Sequence, residues 1–257
     1  MLIASYNKEQ LGDVLLTVVA PDAAAQSCEK KGNIVRIFDV ESGQTTGYNF
    51  FNASKIISGL ETKKGQVFLD NGQVDALNET LKENGFSSEL VVDEKPKFVV
   101  GYVEKLEEHP DSDHLHVTSI KVDDEHLQIV CGAPNIEQGQ NVVIAKVGAM
   151  MPDGTLIFPG KLRGIDSFGM VCSARELQLP NAPQKRGILV LNADDYPSSF
   201  LYNIRYSADC SGYYICAVFS ARIADPGGYH IRSHNVPSHS FSRRDRSASL
   251  QYRGGCV

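Results

Sequence analysis

From residue 98 to residue 191 the chain alternates short β-prone runs with turns rich in Gly and Pro, and nowhere shows the apolar repeat of a long helix. Strands are expected at 98–104, 115–122, 127–131, 141–145 and, briefly, 187–191. Turns are expected at Met151-Pro152-Asp153-Gly154 and at Phe158-Pro159-Gly160. Five or six such strands within about 95 residues predict a small five-stranded barrel of the OB type. Periodicity alone fits another small all-β domain equally well.

The segment before it has a different texture. Strands are expected at 2–6, 15–20, 34–38, 48–51 and 66–69, separated by turns at Lys31-Gly32, Glu41-Ser42-Gly43 and Lys64-Gly65. One helix is expected, capped by Asn71, carrying Val74, Leu77 and Leu81 on one face and ending at Asn84-Gly85. This predicts a small α+β domain over residues 1–95. Asp93-Glu94-Lys95-Pro96 reads as a polar linker, because proline disfavours helix in the residue before it. The barrel domain is then expected over residues 96–192.

Residues 193–257 form a third region of unusual composition. From 196 onward there is no Lys and no Glu, although residues 1–195 hold 14 of each, and seven Arg and eleven Ser take their place. An irregular or disordered tail is expected. It reads either as a native basic arm or as translation in a shifted frame, which changes residue usage this abruptly.

The formal charge of −6 argues against a protein that grips nucleic acid by bulk electrostatics. Its distribution matters more than its total. Residues 96–145 carry three Lys against nine acids, whereas residues 146–191 carry Lys146, Lys161, Arg163, Arg175, Lys185 and Arg186 against Asp153, Asp166 and Glu176. A phosphate backbone would meet the second half. The apolar run from Val14 to Ala20 is too short for a signal peptide or a membrane span. The six cysteines, at 28, 131, 172, 210, 216 and 256, include no CxxC pair. Scattered thiols of this kind lead to an expected cytoplasmic location without membrane association.

The segments HPDSDHLHV (109–117), IVCGAPNI (129–136), VGAMMPDG (147–154), KLRGIDSFGMVCS (161–173) and REL (175–177) together carry a specific signal. They resemble the tRNA-binding OB domain inside the β-subunit of bacterial phenylalanyl-tRNA synthetase. The whole arrangement is similar to the YtpR-like bacterial proteins, in which such a domain follows an uncharacterised N-terminal one. The resemblance covers residues 98–191 and, by arrangement, 1–95, but not the tail. Two positions depart from the pattern: His114 stands where the family carries a basic residue, and Ala174 where it commonly has an acid.

The resemblance implies binding of tRNA or another structured RNA, with no cofactor and no catalysis. The candidate RNA-binding residues are Lys146, Lys161, Arg163, Arg175, Phe168 and Asn135. The cations suit phosphate, and Phe168, like Phe158, can stack on a base or fill the core. The Asn135 amide can read a base or close an Asx-turn. His109, His114, His116 and Cys131 lie near one another in sequence but match no standard zinc spacing. No nucleophile signature surrounds Ser112, Cys131, Cys172 or Ser173, and no phosphate-binding loop or synthetase ATP motif is present. The rival reading is a protein-interaction or dimerisation module, with a homodimer formed through barrel edges or a C-terminal face. A third, an enzyme within residues 1–95, rests only on Asp13, Asp22, Asp39 and Glu41, acids without a discernible arrangement.

Overall fold

The computed structural model describes residues 1–179 and 181–191; the expected tail over 193–257 lies outside the described residues. What is described is mostly β-structure.

One six-stranded antiparallel sheet organises the first part of the chain. Its strands are β1 (Ile3–Asn7), β2 (Val14–Val18), β3 (Gln26–Lys31), β4 (Ile34–Asp39), β5 (Thr45–Phe51) and β6 (Lys64–Val67), in spatial order β3-β4-β5-β2-β1-β6. The short helix α1 (Lys8–Leu11) joins β1 to β2, and α2 (Asn71–Glu83) follows β6. Strand β3 was not expected, because its sequence QSCEKK is polar and mostly exposed. It is an edge strand, paired only with β4, where charge protects against unwanted pairing.

Asp70, rather than the expected Asn71, caps α2. Its carboxylate accepts from the Gln73 amide at 2.8 Å while Gln73 Oε1 accepts from the Asp70 amide at 3.1 Å, a reciprocal pair that satisfies two otherwise orphaned donors. At the other end Gly85 takes φ 73°, and the Phe86 amide donates back to Leu81 O at 2.9 Å. Between these stops Val74, Leu77 and Leu81 are buried against Tyr6, Leu15, Ile34, Tyr48 and Phe50. Full burial of each such side chain favours folding by roughly 1.5–3 kcal/mol. The helix therefore covers one face of the sheet.

The second part comprises β7 (Phe98–Glu108), β8 (His116–Val122), β9 (Glu125–Cys131), β10 (Asn141–Lys146), β11 (Gly160–Leu162), β12 (Ile165–Ser167), β13 (Gly169–Val171) and β14 (Val190–Leu191). Five of them form an antiparallel sheet in the order β13-β10-β7-β8-β9. The strand β7 serves two neighbours: its first half pairs with β10 and its second with β8. A register shift between Val103 and Lys105 bends it between them. The outer strand β9 also meets the chain just ahead of β13, with the Phe168 amide donating to Gln128 O at 2.9 Å and the Val130 amide to Ser167 Oγ at 3.1 Å. The result is a nearly closed five-stranded barrel.

The fifth barrel strand is not the expected one at 187–191, which contracts to the two residues of β14 along the same edge of β10. It is β13, in a stretch that reads as turns. Gly169 explains both facts: at φ 147° an added Cβ would sit 2.8 Å from Ala145 O, so the crossing needs the glycine that weakens the strand signal. Gly101 has a similar role inside the barrel, where a Cβ would meet Ile120 Cγ2 at 2.7 Å. Val99, Val103, Ile120, Ile129, Val142, Ile144 and Val171 fill the interior. Val143 and Ala145, on the other face of β10, lie beneath Ala149, Met151, Ile157, Cys172 and Leu177. Buried on both faces, β10 reads as one continuous apolar run.

Candidate nucleic-acid interface

The strands β11 and β12 form a hairpin outside the barrel sheet, joined by Arg163-Gly164. Both turn residues have positive φ, 45° and 85°, as a two-residue hairpin turn matched to strand twist requires. An Arg in that position is unusual, which is why sequence reading misses this hairpin. Lys161 and Asp166 are cross-strand partners, their charged groups 3.1 Å apart, and share one face. Ser167 points the other way, into the barrel wall. Alternation then returns Phe168 to the outward side, and it is 43% exposed. Lys161, Asp166 and Phe168 thus form an outward row with Arg163 at its tip.

Two anchors fix the hairpin. Gln128 Nε2 donates to Asp166 O at 2.8 Å, tying β12 to β9. At the tip, buried His109 meets Leu162 O through Nε2 at 3.1 Å and accepts the Asp111 amide on Nδ1 at 3.1 Å. Because a backbone N–H occupies Nδ1, Nε2 is the nitrogen left to donate to Leu162 O. Arg163 Nη1 donates to Asp111 O at 2.7 Å, leaving further guanidinium donors facing outward. Sequence reading treats His109 only as a rejected metal ligand; nothing in its spacing reveals a partner 53 residues away.

The remaining candidates divide. Arg175 is exposed on a turn that Ser173 and Glu176 close reciprocally: the Glu176 carboxylate accepts the Ser173 amide at 2.7 Å, and Ser173 Oγ accepts the Glu176 amide at 3.1 Å. Lys146 is opposite Gly169, beside Phe168 in the chain, but its ammonium pairs with Glu125. Asn135 uses both ends of its amide on Ile188, accepting from its N–H at 2.8 Å and donating to its C=O at 3.1 Å. That clamp holds the chain just ahead of β14, and it is neither the Asx-turn nor a free base-reading amide. Phe158 is half-buried.

Residues 98–198 match the family described as "Putative tRNA binding domain", and residues 21–93 match a domain of unknown function, DUF4479. The chain is 52% identical over 192 residues to the "Putative tRNA-binding protein YtpR" of Bacillus subtilis, covering 74% of this chain and 94% of that protein. The chain belongs to the YtpR family. It is also 45% identical over 119 residues to the phenylalanine–tRNA ligase β subunit of Oceanobacillus iheyensis, and 43% identical over 114 residues to that of Bacteroides thetaiotaomicron. Those matches cover 45% and 42% of this chain but only 15% and 14% of the ligase subunits.

In this YtpR-family chain the groups that could be imagined as nucleophiles are poorly set for the task. Burial pushes the Cys172 thiol up to about 12 and also raises Cys131, so neither presents a thiolate at neutral pH. Ser112, Asp113 and His114 cluster in the β7–β8 loop, yet Ser112 Oγ and Asp113 Oδ1 both approach the same ring nitrogen, Nδ1, at 3.3 and 2.8 Å. A catalytic triad needs nucleophile and orienting acid on opposite nitrogens of the imidazole. The His114 hydrogen bond holds the Asp113 carboxyl below its ordinary range, with the Arg163 charge contributing. His114 and Arg163 therefore flank one exposed carboxylate. Among the described residues no group of three His, Cys, Asp or Glu side chains is placed to hold a metal ion, and no helix is long and apolar enough to cross a membrane.

Proposed function

We propose that this YtpR-family chain is a cytoplasmic, non-catalytic tRNA-binding protein, and that it holds RNA on an OB-fold barrel through the β11–β12 hairpin. The observation that carries this reading is the outward row of Lys161 and Phe168 with Arg163 at its tip, held by two backbone-directed anchors. Phosphates meet Lys161, Arg163 and Arg175, and an unpaired base stacks on the exposed Phe168 ring. Lys146 adds charge beside Phe168 when its pairing with Glu125 opens. Asn135 supports the interface by fixing the loop ahead of β14. The names of the matching family and of the B. subtilis relative support RNA as the ligand. So does the local charge balance, because the hairpin belongs to the only cationic part of an acidic barrel segment.

In this reading residues 1–95 and 96–192 are separate domains, the first positioning the second or recruiting a partner. The separate residue sets of their apolar clusters support that division. Few cations face the RNA, so binding is weak, and it falls with salt. The test is filter binding of tRNA at several salt concentrations, with wild type and with Lys161→Ala/Arg163→Ala/Arg175→Ala. The slope of log K against log salt should drop by roughly one for each lost phosphate contact. Unchanged affinity and slope in a folded variant would remove RNA from this face and leave protein interaction as the function.

A further inference from the structure

Beside the N-terminal sheet lies a cavity of about 310 Å³, bounded by β4, the turn into β5 and the chain that follows α2. Two opposite charges line it, Arg36 on β4 and Glu89 beyond α2. Among the described residues neither forms an ion pair, with each other or with any other group. Each is held by hydrogen bonds instead. Arg36 Nε donates to Thr45 Oγ1 at 2.8 Å and Nη2 donates to Gly43 O, while the guanidinium lies 4.8 Å from the Phe38 ring centroid. Tyr48 Oη donates to Glu89 Oε1. Burial, reinforced by Glu89, pushes the Tyr48 hydroxyl up to about 12 against an opposing hydrogen bond from Thr45, so Tyr48 stays a donor at neutral pH. Arg36 keeps further N–H donors, and Glu89 Oε2 accepts no bond among the described residues.

We infer that this cavity binds a free α-amino acid, with its carboxylate on Arg36 and its ammonium on Glu89. The two unpaired charges select that class. A simple anion would satisfy Arg36 but face the Glu89 carboxylate, and a simple cation would meet the reverse conflict. A ligand carrying both charges answers both walls. Spacing sets how far apart its charges lie. Arg36, Thr45, Tyr48 and Glu89 are linked in that order, and the links at Thr45 and Tyr48 each meet on one hydroxyl oxygen. Three such bonds place Arg36 Nε and Glu89 Oε1 no more than about 9 Å apart. A ligand between them uses two hydrogen bonds of about 2.8 Å, which leaves about 3 Å between its own charged atoms, the separation across one α-carbon. The volume is at the small end of ligand sites, which suits a single amino acid. Met1, Val19 and Val91 also line the cavity, and Val91 is 71% exposed, so the remaining wall fits an aliphatic side chain. The guanidinium is fixed before the ligand arrives, which lowers the ordering cost of binding. The site shares no residue with the β11–β12 hairpin and does not depend on RNA.

Isothermal titration of the full chain with L-leucine, L-valine and L-methionine tests this. At least one should bind saturably. Its N-acetyl and amide derivatives, each lacking one charge, should bind about 10-fold more weakly, the loss of one charged hydrogen bond. 6-Aminohexanoate, with the same charges at the ends of a longer chain, should be weaker by about as much. Substitution then assigns each charge. Arg36→Gln should bind the amino acid and its amide equally. Glu89→Gln, which keeps an acceptor for Tyr48, should bind the amino acid and its N-acetyl derivative equally. Each comparison is made on one protein, so a change in that protein's stability cancels. No saturable binding by any of the three amino acids overturns the proposal. So does wild-type binding indifferent to acetylation, amidation or charge spacing, and so does a preference for the free amino acid that survives both substitutions. Filter binding of tRNA should be equal in wild type and both variants, which separates failure here from failure of the RNA reading. Loss of tRNA affinity in Arg36→Gln would place RNA in this cavity and overturn the amino-acid assignment.

Discussion

The two sheets of this protein handle their faces and edges in opposite ways. The N-terminal sheet is open: α2 covers one face, the other shows Val14, Leu16, Val18, Val35 and Ile37, and β3 and β6 remain as edges. The second sheet curls until β9 meets the chain at Ser167 and Phe168, just ahead of β13, so the barrel is nearly closed. Closing a sheet removes the sites at which it can join another chain. Recognition must then be built outside, and in the proposed reading an added hairpin carries it. In the open sheet, by contrast, half-buried apolar side chains of one face lie outside the cluster beneath α2.

The largest expected effect exposes the asymmetry of the open sheet. Leu77→Ala removes a fully buried side chain between α2 and the sheet and should cost about 2–5 kcal/mol in denaturant unfolding. Leu16→Ala, half-buried on the other face of the same sheet, should cost under about 1 kcal/mol. Equal losses would mean that both faces are packed within one chain, and the comparison would fail.

Next comes the closed sheet. Gly101→Ala directs a methyl group at Ile120 Cγ2 and Ile144 Cδ1 inside the barrel, and overpacking of this kind costs about 1–3 kcal/mol. Gly43→Ala, in an N-terminal turn where a Cβ would meet no atom within 4 Å, has only its positive φ to oppose it and should cost less. A reversed ranking would show that the barrel interior has room which its core packing denies.

These contrasts also show what could be read from the chain alone. Strands with apolar alternation and the helix carrying Val74, Leu77 and Leu81 were legible, since period and burial coincide there. Strand β3 was not, because edge strands are selected for polarity. Nor was β13, because the glycine that lets it cross Ala145 hides it. Of the proposed interface, the cations were visible as a local charge excess. Their grouping was not, because it rests on a hairpin turning at Arg163 and on the His109 contact with Leu162. Asn135 was legible as a special residue, but its partner Ile188 lies 53 positions on.

The His109 contact gives a smaller effect confined to the projecting surface. His109→Gln keeps a polar side chain but cannot reproduce both ring contacts, and should destabilise the barrel by about 1–2 kcal/mol. It should also weaken tRNA binding several-fold while leaving the salt slope unchanged, because His109 places Arg163 without contacting phosphate. Arg163→Ala should instead lower the slope by roughly one. If His109→Gln changes the slope as Arg163→Ala does, the latch is part of the binding surface rather than its support.

The smallest expected effect contrasts the polar anchors of the two sheets. In the open sheet Asp13 accepts from Tyr6 Oη at 2.9 Å, from the Ser54 amide at 2.9 Å and from Ser54 Oγ at 2.7 Å. Burial raises its carboxyl, but the Ser54 hydrogen bonds, followed by Tyr6 and the Lys8 charge, outweigh burial and hold it below the ordinary value of 3.8. Burial, reinforced by Asp13, pushes the Tyr6 hydroxyl up to about 12, so this partner stays a donor throughout the neutral range. A carboxylate depressed in the folded state stabilises above its unfolded value, and that contribution is lost as pH falls through the folded value. Asp13→Asn should therefore be less stable than wild type by an amount that is constant from neutral pH down to about pH 4 and shrinks below it. The barrel's anchor, His109, instead holds its hairpin through two backbone partners, Leu162 O and the Asp111 amide. Chemical denaturation of wild type and Asp13→Asn at a series of pH values checks this. An Asp13→Asn difference that persists undiminished in acid would show that Asp13 acts through shape and hydrogen-bond count rather than charge.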